Sequence, residues 1–192
     1  MKPVNLYVKP GDIIGFSGKS LRSDAINIVT GGIPRWGISH VGIIGDRHGS
    51  RYLFEASDKL NWCEIRHEMS RGVQAHLLDD VLESYNGRVW HYSLYRRLYQ
   101  HEDFRLSAFL HGSLGTPYDR AGAIQSGGFL WGLLNSKLRG ESLTEDFCSE
   151  VCAAAESRIG IFPTTNASRW NPNKLVRTMR RAGLLHRPMR LK

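Results

Sequence analysis

Two rhythms of apolar residues run along this chain. Short apolar runs closed by glycine or by polar clusters read as strands, and stretches with apolar residues every three or four positions read as helices. Residues 12–17 (Asp-Ile-Ile-Gly-Phe-Ser), behind Pro10-Gly11, form the first predicted strand. Residues 39–45 and 51–56 form two more, joined by the polar connection Asp46-Arg47-His48-Gly49-Ser50, a hairpin signal. Residues 88–94 alternate well enough to make a further strand. Helical spacing covers 23–30, which Gly31-Gly32 stops, and 77–85, which Gly87 ends. It returns over 104–114, with Phe104, Ala108, Phe109 and Leu110 on the buried side, and over the small-residue run 151–155. Asn171-Pro172 supplies a cap and a first-turn proline for a last helix to about residue 181. The stretch 58–72 is polar and matches neither rhythm, while 115–140 is a glycine-rich excursion carrying the apolar patch 129–134. Strands cluster early and helices group around them, which predicts an α+β fold with an antiparallel sheet packed against helices.

At 192 residues the chain is long enough for one domain with a real core. No apolar run reaches membrane-spanning length, and residues 1–10 lack the apolar centre of a signal peptide. Three cysteines, an odd number, point to reduced thiols and a cytoplasmic setting. The net charge of +8 is unevenly placed. After Glu156 there is no acidic residue and there are nine basic ones, which leaves the body with seventeen basic against eighteen acidic residues. The division expected is a body over 1–170 and a basic helix and tail over 171–192. On that last helix Leu175, Val176 and Met179 share one side, and Lys174, Arg177, Arg180 and Arg181 occupy the rest. Such a cation-bearing surface suits an anionic partner: nucleic acid, an anionic membrane surface or an acidic protein.

The chemistry centres on Asp146-Phe147-Cys148-Ser149-Glu150-Val151-Cys152. With Asp146 as N-cap, Cys148 falls in the first turn of a helix, where the dipole and the unpaired N–H groups favour a thiolate. The neighbouring Asp146 and Glu150 oppose this, so a cationic partner is needed. His40 stands in the first strand of the hairpin. A turn centred between Arg47 and His48 sets it opposite Glu55, with Cβ atoms roughly 4.5–5.5 Å apart on one face. A carboxylate there fixes the imidazole tautomer and frees the other ring nitrogen for a nucleophile. Cys148, Cys152 and a histidine also spell a weak zinc pattern, ranked below catalysis because no second cysteine pair accompanies it. Cys152 reads as core packing, and Cys63 has no assigned role. Neither metal nor cofactor is expected.

Gly115-Thr116-Pro117-Tyr118, followed by Phe147-Cys148-Ser149-Glu150, resembles the nucleophile half of NlpC-type papain-like hydrolases. Ser39-His40-Val41-Gly42-Ile43 resembles their histidine strand. Here the histidine precedes the cysteine, which is similar to the circularly permuted, YiiX/YaeF-like branch related to lecithin:retinol acyltransferase. Gly11-Asp12-Ile13 and Glu55 match further elements of that branch. The resemblance covers about residues 11–159 and departs from it in the insertion at 115–147 and the basic tail.

It implies a permuted papain-like fold with the nucleophile at a helix N-terminus. It also implies a cysteine hydrolase (peptidase, amidase or lipid-ester hydrolase) working through Cys148, His40 and Glu55 and a thioester. Tyr118 is its candidate for substrate positioning or for donating to an oxyanion, beside the Cys148 N–H. Transfer of the acyl group to an amine or alcohol is an alternative outcome. A non-enzymatic binding or structural module on the same scaffold, with an anion-binding tail, is the rival from another class.

Overall fold

The structure, a computed structural model, describes residues 7–18, 37–117, 143–163, 166, 167 and 170–192, with the backbone alone over 143–147. The expected helix at 23–30, the apolar patch at 129–134 and Tyr118 lie outside the described residues.

Six strands form one antiparallel sheet: β1 (Ile13–Gly18), β2 (His40–Arg47), β3 (Ser50–Cys63), β4 (Glu68–Leu77), β5 (Gly87–Tyr92) and β6 (Met189–Arg190). Their spatial order is β4-β3-β2-β1-β5-β6. Four helices are present among the described residues: α1 (Leu78–Ser84), α2 (Gln100–Ser113), α3 (Leu143–Arg158) and α4 (Pro172–Arg181). The fold is α+β, as the clustering of strands and helices predicts.

The paired apolar residues of the central strands explain why those strands read so clearly. Ile13, Ile43 and Phe54 enter the larger core with α3 and α4, while Ile14, Ile44 and Leu53 enter a smaller one capped by Leu78 of α1. A strand buried on both faces must be apolar at successive positions, unlike one with a solvated face.

The β2–β3 turn differs from the expectation. His48 and Gly49 both have positive φ, 55° and 82°, so the two central residues are these, as a type I′ turn requires. Arg47 then pairs with Ser50 and Ile43 with Phe54. Carried back to the strand start, that register sets His40 level with Ser57, not Glu55. A two-residue displacement keeps the face, because side chains alternate with period two.

The polar stretch 58–72 is the far half of a long hairpin, β3–β4, with a register irregularity between Ser57 and Asn61. Gly72 sits at φ +84°, and a Cβ there would lie 1.9 Å from the Thr116 carbonyl oxygen. Only glycine lets the chain leaving α2 cross β4 so closely.

In α2 the buried residues include Leu106 and Leu110, whereas Phe104 is 75% exposed and Ala108 is also exposed. The buried side of α2 runs through Glu102, Leu106, Leu110 and Ser113, with Glu102 paired bidentately to Arg96.

Helix α4 docks as its pattern predicts: Leu175, Val176 and Met179 are buried, and Lys174, Arg177, Arg180 and Arg181 are exposed. Its Asn173 side chain exchanges two 2.8 Å hydrogen bonds with the backbone of Ile38, two residues before His40. The segment after it pairs β6 against β5, and Lys192 Nζ donates to the carbonyls of Leu82 and Glu83 at the end of α1.

Candidate functional site

His40 is the first residue of β2. Its Nε2 lies 2.6 Å from Glu55 Oε2, with side-chain exposures of 29% and 16%. A carboxylate only accepts, so Nε2 carries the proton and Nδ1 is left as the second bonding position of the ring. The Cys148 side chain hydrogen-bonds the same imidazole. The three residues selected from the sequence are therefore brought together, although His40 and Glu55 meet diagonally across the ladder.

The charges reinforce each other. Burial pushes the imidazole pKa down, but Cys148 and Glu55, each by charge and by hydrogen bond, outweigh it and hold His40 well above its ordinary value. Burial likewise pushes the Glu55 carboxyl up, and His40, with smaller contributions from His76 and Lys59, brings it below the ordinary range. Perturbed, mutually dependent ionisations make this cluster the candidate functional site.

Helix α3 begins at Leu143, so Cys148 is its sixth residue and Asp146 its fourth. The expected N-cap at Asp146 and first-turn position of Cys148 are thus corrected. No glycine or proline interrupts 143–159, and acidic residues suit a first turn, so Thr144-Glu145-Asp146 extends the helix upstream instead of capping it. Dipole and unpaired N–H groups act within the first turn, so the partner the sulfur has here is the His40 imidazole, not the helix end. The oxyanion-donor role expected of the Cys148 N–H loses its basis with this shift.

Cys148 is fully buried (0% exposed), as are Cys152 and Cys63. Burial, then Cys148, Glu156 and Glu55, push the Cys152 thiol well up, which fits a neutral packing residue one turn beyond Cys148. Ser149 Oγ donates to the Trp170 carbonyl and ties α3 to the approach of α4.

Sequence reasoning missed His76 on β4, whose Nε2 lies 3.6 Å from Glu55 Oε1. It also missed Gln74, 3.2 Å from the same imidazole nitrogen. The available signal was the alternation Val73-Gln74-Ala75-His76, apolar and polar by turns, at the end of a stretch otherwise without pattern.

An antiparallel sheet with Cys148, His40 and Glu55 gathered at one end defines the class of fold and site. Among solved structures it is similar to the crystal structure of the metalloprotein YiiX from Escherichia coli O157:H7, with a TM-score of 0.51 and 22% identity over 80% of this chain and 67% of that one. The fold is YiiX-like. No protein-family model and no curated protein matches the chain. Among the described residues, no helix is long and apolar enough to cross a membrane.

Proposed function

We propose that the chain is a cysteine-dependent hydrolase built on a permuted papain-like scaffold. The observation that carries this reading is the His40 imidazole, held between Glu55 on one side and Cys148 on the other. The Cys148 sulfur attacks a carbonyl carbon while His40 Nδ1 takes the thiol proton. His40 returns that proton to the leaving amine or alcohol as the C–N or C–O bond breaks, leaving a thioester. Water, deprotonated by the same nitrogen, then attacks the thioester and the thiol is regenerated. An amine or alcohol in place of water gives acyl transfer. Glu55 orients His40 and stabilises its cation. Tyr118 keeps its place here as the substrate-positioning candidate that the family resemblance supplies. A cytoplasmic setting belongs to the same reading.

YiiX is described as a metalloprotein, but the described residues of this chain do not form a metal site. Among the described residues no group of three or more His, Cys, Asp or Glu side chains is disposed to hold an ion, and His40 Nε2 is taken up by Glu55. No step here passes through a metal.

The chemistry is tested by limiting iodoacetamide. All three thiols have zero static exposure, so none has an advantage of access, and pairing with His40 should put Cys148 well ahead at mildly acidic pH. His40→Ala should erase that lead. Labelling of the three cysteines at one rate in the wild type would sink the catalytic reading. Profiling of peptide, aminoacyl and lipid-ester libraries beside Cys148→Ala then identifies the substrate.

A second role is favoured by the exposed cations of α4. Lys174, Arg177, Arg180 and Arg181 all face outward, and none of the nine basic residues after Glu156 has an acidic residue within that segment. We infer electrostatic binding of a polyanion there, steeply weakened by added salt as counterions are released. Arg180→Glu with Arg181→Glu should reduce retention on DNA, RNA or anionic vesicles while leaving Cys148 labelling intact. If the wild type binds none of these at low salt, the helix is only a solvated face.

A further inference from the structure

The carboxylate of Glu55 is hydrogen-bonded on one oxygen and has an imidazole close to the other. Oε2 takes His40 Nε2 at 2.6 Å, and Oε1 faces His76 Nε2 at 3.6 Å. Behind His76 stands Gln74, fully buried. Gln74 Nε2 donates to the carbonyls of Lys59 at 2.9 Å and Ser70 at 2.7 Å, two acceptors that only an amide nitrogen can satisfy. That fixes Gln74 Oε1 as the atom turned toward His76 and toward Asn61 Nδ2, at 3.2 and 3.3 Å. An amide oxygen only accepts, so His76 Nε2 carries its proton and donates it to Gln74 Oε1, which holds the imidazole with that edge 3.6 Å from Glu55 Oε1.

The backbone explains how this support is built. Lys59 lies inside the β3–β4 irregularity between Ser57 and Asn61, outside the ladder pairs, and its carbonyl is taken by the Gln74 side chain. Irregularities of this kind re-aim side chains beside active sites.

We propose that His76, fixed by Gln74 beside the second oxygen of Glu55, is a positioning residue for the Cys148–His40 pair that keeps the first oxygen on His40 Nε2. This rests on the catalytic reading above. The titratable and charged groups that face Glu55 are His40 from β2, His76 from β4, Lys59 from β3, Tyr85 after α1 and Cys152 from α3. Of these, His40 and His76 are the two imidazoles set against its oxygens. Without the neighbouring His76 edge the carboxylate loses its second electrostatic contact and turns more freely about its last torsion, which is broad for a glutamate. A base displaced by about 1 Å costs up to about 100-fold in rate.

The test uses long-range ¹H–¹⁵N correlation spectra of the full-length ¹⁵N-labelled protein across the histidine titration range. In the neutral form both His40 and His76 should carry the proton on Nε2. Cys148→Ala should shift the His40 titration to lower pH, because the sulfur raises it. His76→Leu should also shift it lower, and His76→Gln, whose amide keeps an N–H beside Glu55, should restore at least half of that shift. Once a substrate is in hand, His76→Leu should lower kcat with little change in KM. A neutral His76 found with its proton on Nδ1, or a folded His76→Leu whose His40 titrates as in the wild type, overturns the proposal. If His76→Leu does not fold, the wild-type tautomer decides alone. A His40 titration that Cys148→Ala leaves unmoved would instead remove the catalytic reading on which the proposal rests.

Discussion

Cys148→Ala should abolish turnover, lowering kcat/KM by roughly 10⁴-fold or more, because a methyl group can neither attack a carbonyl nor form the thioester. His40→Ala should fall within about tenfold of the same loss, since without the imidazole nothing takes the thiol proton or protonates the leaving group. The double variant should be no worse than either single one, because each removes the same covalent step. Glu55→Gln is the more informative substitution. It should cost less than loss of Cys148 or His40, because it keeps a hydrogen-bond acceptor for the imidazole while losing the charge. The geometry raises that cost. Glu55 faces an N–H on each side, from His40 at 2.6 Å and from His76 at 3.6 Å, and an amide has one oxygen to offer. The amide keeps an acceptor for His40 but loses the charge that both imidazoles face, and its NH₂ is turned toward the His76 edge, so a loss of about 10²–10³-fold is expected, short of that for Cys148→Ala. Steady-state kinetics on the substrate that emerges from library profiling measures the series. Full additivity of Cys148→Ala and His40→Ala would mean that the two residues do not share a step.

The parts of the fold legible in the sequence are those where burial leaves a periodic trace. Ile13-Ile14, Ile43-Ile44 and Leu53-Phe54 are each split between two cores, and such doublets are what a central strand covered on both faces must show. Helix α4 was legible because its apolar stripe and its cations separate cleanly. The outer half of the β3–β4 hairpin was not, because it leaves the core: Leu60, Trp62 and Met69 stand exposed there, and no face is obliged to be apolar. Helix α2 misled because its buried side opens on a charged residue, Glu102 paired with Arg96, ahead of Leu106 and Leu110, while Phe104 is left in solvent. In the site, His40 and Glu55 were found through strand parity, which survives a register displaced by two. The start of α3 was misjudged because Asp146 serves equally well as a cap or as a first-turn acid. His76 was missed because its strand is a short alternating tail on a stretch without pattern.

Stability should depend on pH through one residue that the catalytic chemistry does not use. Glu156 of α3 is fully buried, and neither of its carboxyl oxygens has a hydrogen-bond partner among the described residues. Burial, then the charges of Asp12 and Glu102, push its pKa well above the ordinary carboxylate value. An acid whose folded pKa is raised holds its proton in the native state at a pH where the unfolded chain has released it. Its stabilising effect is complete below the unfolded pKa and is lost as pH rises toward the folded value. Each unit of such a shift corresponds to about 1.4 kcal/mol. For a chain of this size each kcal/mol moves Tm by about 2–4 °C. Glu156→Gln removes the ionisation and keeps the shape. Its amide is as poorly partnered as the acid it replaces, but that penalty does not change with pH. The difference in Tm between variant and wild type should therefore grow in the variant's favour from mildly acidic to mildly alkaline pH, by several degrees. Thermal unfolding of both proteins, measured in parallel across that range, reads the difference directly. A Tm difference that stays constant with pH would show that Glu156 is either already ionised or has found a partner in solution.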